Sequence, residues 1–265
     1  MITDDPISNE SGRVQKAGIR ALFEAKAEWY FEERERDFAF VTQKGIVLSL
    51  FDKDGGNVLD IGCGPGVMVA DLLNRGCTVR GIDTSEKMID LARAKLEKTE
   101  GKTRAQFSVG DIENLQFPDA DFDAVICMGV LEYLLSDRRA IKEMARVVKP
   151  GGTVIITQPS DVSAYELVGK CLGAVLSIRR KILGKTREEP ADYTRTCCVP
   201  RQLDGRLLGE GIKKVDSAHC NVVLWPGTRL LPVFPPALTR TLEPLSRVRL
   251  LGWLGTQYIF KGERL

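Results

Sequence analysis

The sequence predicts an α/β protein: a mostly parallel seven-stranded sheet with helices on both faces and a C-terminal antiparallel hairpin that carries insertions. Three observations predict it. Between about residues 55 and 158, short apolar runs alternate with helical periodicity, the pattern of buried parallel strands joined by crossover helices. The first of these runs ends in three glycines at alternate positions, Gly62, Gly64 and Gly66. After Pro159 the alternation stops, and two later strand candidates, 212–218 and 256–261, are placed to pair antiparallel across a long intervening stretch.

Taken in order, the residues up to about Gly12 are polar and expected to be disordered. Residues 13–51 mix Ala, Glu, Lys and Arg with Leu22, Phe23, Trp29, Tyr30, Phe31, Phe38 and Phe40, which predicts one or two amphipathic helices. The charged run 32–37 reads as a solvated helical face. Strand 58–61 is followed by a helix over 68–73 that closes at Asn74 to Gly76, then by strand 78–82 and a helix from Ser85 to about Lys98. Strands 107–109 and 124–127 come next, then a helix over 137–148. A Pro150-Gly151-Gly152 turn leads into strand 153–157. Residues 161–183 read as helix, 185–192 as a charged link, and 200–208 as a helix closing at Gly209 or Gly211. This divides the chain into an N-terminal helical cap (1–54), a ligand-binding core (55–158), and a C-terminal part (159–265) that adds recognition inserts and completes the same domain.

Composition narrows the function. With 265 residues, 43% hydrophobic and 28% charged, the chain is globular, and a formal charge of +2 disfavours a whole-chain nucleic-acid binder. A single histidine, His219, excludes an HExxH zinc site and any multi-histidine site. Seven cysteines without a CxxC pair argue against a disulfide framework. The acidic, polar start is no secretory signal, and no run approaches the ~18 apolar residues of a bilayer span. A cytoplasmic protein is expected, with peripheral membrane contact left open.

The glycine loop, residues 58–66, joins a strand to a helix, and its glycines let backbone approach a ligand closely. The dinucleotide pattern fails at Val67, which stands where a small residue belongs. Gly101-Lys102-Thr103 and Gly184-Lys185-Thr186 lack the first glycine of a phosphate loop, with Leu96 and Arg179 in its place. Asp60 precedes the first glycine. A carboxylate there repels a pyrophosphate but suits an ammonium or sulfonium. Asp83 ends the second strand, where an acid can grip ribose hydroxyls. Asp111, followed by Ile112, ends the third, placed for an adenine amino group. Acids at three successive strand ends describe a ligand with a cation, a ribose and a base: S-adenosylmethionine.

On these residues the chain resembles the class I S-adenosylmethionine-dependent methyltransferases of Rossmann-like fold, near those of quinone biosynthesis. The matching pieces are 58–66, 81–85 with Met88, 110–113, 122–128 and 148–152. The resemblance implies that Asp60, Gly62, Cys63 and Gly64 border the methionine part of the cofactor and that Asp83 and Thr84 meet the ribose. Met88 would pack near the adenine, Asp111 and Ile112 would hold it, and Met128 with Gly129 would floor the cleft. The product is S-adenosylhomocysteine. Quinone-pathway O-methyltransferases look like Met-Glu-Val-x-Glu-His after the fourth strand, a pattern linked to a divalent metal. Here the six residues are Met128, Gly129, Val130, Leu131, Glu132 and Tyr133, so no metal is expected.

Methyl transfer is a displacement in which the protein chiefly positions the acceptor; a base is needed where the acceptor loses a proton. Tyr30, Tyr133, Tyr193 and His219 are candidate acceptor-binding residues, and none is assigned as catalytic. The expected acceptor is a small lipophilic molecule methylated on O, N or C. The alternatives are an RNA or protein methyltransferase and a non-catalytic cofactor-binding scaffold. Residues 221–254 hold Arg229, Arg240, Arg247 and Arg249 against one acid, Glu243, and prolines at 226, 232, 235 and 236. They read as an apolar lid, a membrane-docking element, or a cap or dimer surface. The net charge is a cancellation. Residues 1–160 have an acidic excess of five and 161–265 a basic excess of seven, which leaves an anionic partner open for the C-terminal part.

Overall fold

A computed structural model of the chain describes residues 8–97, 99–163, 166–167, 195–222, 241, 244 and 251–265. The helix expected over 161–183, the link 185–192 and most of the segment 221–254 lie outside the described residues, as does Tyr193.

Helices α1 (Ser8–Arg36) and α2 (Phe38–Leu50) precede strand β1 (Asn57–Ile61). Next come α3 (Val69–Asn74), β2 (Thr78–Asp83), α4 (Glu86–Leu96), β3 (Ala105–Val109), β4 (Phe122–Met128), α5 (Arg138–Val147) and β5 (Val148–Pro159). The chain closes through α6 (Pro200–Gly209), β6 (Ile212–Val222) and β7 (Gly255–Arg264). One sheet holds seven strands in the order β3-β2-β1-β4-β5-β7-β6. The first five are parallel, and β7 runs antiparallel to both β5 and β6. This is the predicted Rossmann-like sheet with its antiparallel C-terminal pair.

Strand alternation divides the core in two. Leu59, Ile61, Val125, Cys127, Val154, Ile156, Tyr258 and Phe260 face one side, where Ile141 and Met144 of α5 and Leu203 and Leu207 of α6 close over them. Val58, Ala124, Ile126, Ile155 and Ile259 face the other, beneath Val47 of α2, Leu72 of α3 and Ile89 of α4. Each of these large side chains contributes roughly 1.5–3 kcal/mol through removal from water. The order reverses at β1, whose C-terminal end opens between β2 and β4. In an open α/β sheet that crevice is where ligands sit.

Three expectations need correction. The chain is helical from Ser8 rather than disordered to Gly12, because tertiary contacts hold α1: Gln15 Nε2 donates to the Tyr133 carbonyl at 2.9 Å, and Lys16 Nζ to Asp111 Oδ2 at 2.5 Å. The run 32–37 is not wholly a solvated face. Glu32, Glu33, Glu35 and Arg36 are exposed, but the Asp37 carboxylate accepts the Ala39 amide at 2.9 Å and starts α2. Arg34 lies over Tyr30, 4.9 Å from the ring centroid. Finally, Pro150 to Gly152 do not precede β5 but bulge within it, where the pairing with β4 jumps from Phe122↔Val148 to Ala124↔Thr153.

Candidate active site

The turn after β1 is held to β2 by its backbone: the Gly62 and Cys63 amides donate to the Ile82 carbonyl at 2.8 and 3.0 Å. Gly62 takes φ +68° and Gly64 φ +51°, a region that favours glycine. At Gly62 a β-carbon would also lie 2.2 Å from Val130 Cγ2. The next amide, Gly64, donates to Asp83 Oδ2 at 3.0 Å, and the Ser85 amide donates to Asp83 Oδ1 at 2.9 Å. Burial nevertheless pushes the Asp83 carboxyl above the usual range, against the pull of these amides. Ser85 in turn caps α4, accepting the Met88 amide at 3.3 Å.

These loops wall a cavity at the C-terminal ends of the parallel strands, the usual ligand position of an open α/β sheet. Nine of the eleven residues expected at the cofactor line it: Gly62, Gly64, Asp83, Thr84, Met88, Asp111, Ile112, Met128 and Gly129. Asp60 and Cys63 do not. Asp60 is only 2% exposed and lies behind the wall. Its Oδ2 has no hydrogen-bond partner among the described residues. Burial, with the nearby Asp83 charge, pushes its carboxyl up to about 7. The Cys63 thiol is buried and packs toward Gly81, whose β-carbon would come within 3.0 Å of its Sγ. Burial and the two carboxylates push that thiol up, which leaves it inert.

Sequence reasoning missed the roof. Lys16, Ile19 and Phe23 of α1 line the cavity together with Tyr30. No motif marks them, but their spacing of three, four and seven residues places them on one helical face. Lys16 pairs with both Asp111 and Glu113, and the Glu113 amide donates to Asp111 Oδ1 at 2.9 Å. Burial opposes the lysine charge, yet the two carboxylates outweigh it and raise its pKa.

A second cavity adjoins the first. Phe23, Tyr30, Met128, Gly129 and Tyr133 line both cavities and form the border. Phe23 meets Tyr30 and Tyr133 edge-on, at centroid distances of 5.8 and 5.4 Å. Beyond them the wall turns polar, with Arg34, Asp37, Gln43, Glu132, Arg195 and Gln257. Glu132, 3% exposed, accepts from Arg195 Nε at 3.0 Å and Nη2 at 2.5 Å on Oε1, whereas Oε2 has no partner among the described residues. The Thr196 amide donates to the Glu132 carbonyl at 2.7 Å, which fixes the Arg195 segment against this turn. Burial raises the Glu132 carboxyl, against the nearby Arg195 and Arg34. Burial and the Glu132 charge push Tyr133 up to about 12, and burial also raises Tyr30, so neither phenol suits a base at neutral pH.

His219 falls elsewhere. It stands opposite Tyr258 in the β6–β7 pair, with ring centroids 5.1 Å apart, and lines neither cavity. The reason is its position: β6 lies at the sheet edge, two strands beyond β5. Burial and Lys214 lower its pKa. Among the described residues no three His, Cys, Asp or Glu side chains group as a metal site, and no helix is long and apolar enough to cross a membrane.

Residues 59–156 match the methyltransferase domain family. A ubiquinone biosynthesis O-methyltransferase of Coxiella burnetii is 36% identical over 118 residues, 43% of this chain and 50% of that protein. Its counterpart in Dechloromonas aromatica is 39% identical over 104 residues, 39% and 44% of the two chains. The chain thus spans about half the length of the curated relatives it matches. In fold it is similar to the magnesium protoporphyrin IX methyltransferase of Synechocystis, with a TM-score of 0.62 at 19% identity, covering 95% of this chain and 100% of the other. Glycine turn, strand order and matched residues together make residues 59–156 similar to the methyltransferase domain family on a Rossmann-like sheet.

Proposed function

We propose that this protein transfers the methyl group of S-adenosylmethionine to a small acceptor seated in the second cavity. The observation that carries the reading is the pair of cavities meeting at Met128 and Gly129: one bears the expected cofactor residues, and the other joins aromatic walls to polar groups. The cofactor supplies an electrophilic methyl carbon on a sulfonium. The residues present fit it. Gly62 and Gly64 offer backbone without side chains, Asp83 carries a carboxylate for ribose hydroxyls, and Thr84 adjoins it. Met88 and Ile112 provide apolar contact for the base. Asp111 keeps lone pairs for a ring amino group even while Lys16 is bound. Asp60, a buried carboxyl without a partner on Oδ2, favours a nearby cation through its field, with Cys63 as packing behind the turn.

In this reading residues 1–54 cap the cofactor cavity, 55–158 bind the cofactor, and 159–265 add acceptor recognition. The aromatic border of Phe23, Tyr30 and Tyr133 supports an acceptor with a lipophilic ring, as does the similarity to quinone-pathway O-methyltransferases. Titration calorimetry tests the cofactor half: Asp83→Ala should weaken S-adenosylmethionine about 5–150-fold, the equivalent of ~1–3 kcal/mol of lost hydrogen bonding. Unchanged affinity contradicts the assignment. Label transfer from methyl-labelled cofactor into small-molecule, lipid, RNA and protein fractions tests the acceptor half. Labelled RNA or protein would replace the small-molecule reading.

A further inference from the structure

We infer that Glu132 receives the proton of the methyl acceptor, and that Arg195 is the positioning residue that aims it. The inference rests on the methyltransferase reading and adds the acceptor class: a ring bearing a hydroxyl or N–H. Glu132 is buried, yet it lines the second cavity beside the border where the two cavities meet. Its two oxygens differ in kind. Oε1 is taken by the Arg195 fork, while Oε2 is buried with no partner among the described residues. A buried carboxylate oxygen left unpaired carries an uncompensated desolvation cost, which a bound donor removes. The cavity also carries the body such a donor needs, with Tyr30, Tyr133, Phe23 and Phe40 flanking the polar groups.

The step balances as follows. A lone pair of the acceptor atom attacks the methyl carbon, the new bond forms, and the C–S bond breaks with its electron pair passing to sulfur. The acceptor's proton moves to Glu132 Oε2 and leaves to solvent after product release. Glu132 must enter this step ionised. The groups that set its charge are Arg195, Arg34 and Tyr30 of α1, Tyr133 of its own turn, Cys127 of β4 and Cys197 beside Arg195. Of these only the two arginines are cationic, so removing Arg195 raises the Glu132 pKa.

The experiment uses the full chain, methyl-labelled S-adenosylmethionine and the small-molecule fraction of a cell extract, with cofactor affinity measured in parallel by calorimetry. Glu132→Gln should bind cofactor as the parent does, since Glu132 does not line the first cavity. Its transfer rate should fall about 10²–10⁴-fold, the usual worth of a general base. Glu132→Asp should recover part of that rate. Arg195→Met should keep activity at high pH while moving the rising limb of the pH profile upward, a shift that a merely structural arginine would not produce. Transfer by Glu132→Gln at the parent rate, or an Arg195→Met profile with an unmoved limb, overturns this inference alone. Failure of the parent protein to bind the cofactor, or to label any fraction, overturns the methyltransferase reading with it.

Discussion

Gly62→Ala is the substitution whose cost the geometry specifies most closely. Two separate penalties meet there. The backbone at φ +68° costs a side-chain-bearing residue roughly 1–2 kcal/mol. The new methyl would also stand 2.2 Å from Val130 Cγ2, far inside the ~3.5–4.0 Å of a normal carbon contact. Val130 is half-buried, packing on the core face shared with Leu131 and also lining the first cavity, so making room for the methyl costs up to about 1–3 kcal/mol. The two penalties together give about 3 kcal/mol, which in a chain of this size lowers Tm by roughly 6–12 °C. Urea unfolding of Gly62→Ala, Val130→Ala and the double variant separates the two. Trimming Val130 removes the clash and leaves the backbone penalty, so the double variant should be about 1–3 kcal/mol more stable than additivity allows. Additivity within ~0.5 kcal/mol would refute the clash, and a Gly62→Ala variant as stable as the parent would refute both penalties.

Three further outcomes follow from the same site. Asp60, with its folded pKa raised to about 7 from 3.8, holds a proton in the native state that the unfolded chain has lost. Its contribution to stability is therefore whole below about pH 4 and disappears as pH rises to about 7. Asp60→Asn should gain stability over the parent across that window in urea unfolding while losing cofactor affinity, and a pH-independent difference would refute the sign. Lys16→Met frees Asp111 from its α1 partner. Both groups are more than a third exposed, so the stability change should stay below about 1 kcal/mol. Calorimetry should show cofactor affinity up a few-fold at low salt, and a loss would mean that Lys16 itself contacts the cofactor. Ser85→Ala removes the cap of α4 and should cost about 0.5–2 kcal/mol in thermal unfolding.

The residues legible in the sequence share one property: each is fixed by neighbours in its own turn. Gly62, Gly64, Asp83, Asp111 and Met128 sit at strand ends, where an apolar run stops and a glycine or acid begins, so strand placement carries the site with it. What sequence reasoning could not supply was depth and distance. Asp60 and Cys63 lie in the same motif, yet strand alternation turns Asp60 behind the cavity wall and the turn packs the Cys63 thiol toward Gly81. The roof residues Lys16, Ile19 and Phe23 join partners about a hundred positions away, so only the periodicity of α1 hinted at them. Glu132 stood in a six-residue comparison as the one retained acid. Its pairing with Arg195, 63 positions later, was not legible, because the intervening chain had to fold before the two met. His219, a candidate for acceptor binding as the one histidine, has its place decided by the sheet edge instead.

The strand order also bears on how the chain is made. In synthesis β6 emerges before β7, yet in the sheet β7 stands between β6 and β5, so β6 has no sheet neighbour until β7 arrives. Until then Val154 and Ile156 on one face of β5, and Leu203 and Leu207 of α6, lack Tyr258 and Phe260 as packing partners. A ribosome-bound chain that has delivered the glycine turn, both cavity floors and β6 is thus left with an open, apolar sheet edge along β5. Such an edge invites pairing with other chains, and it is sealed only by a strand inserted between two already made. The sheet closes at that edge only once β7 is in place.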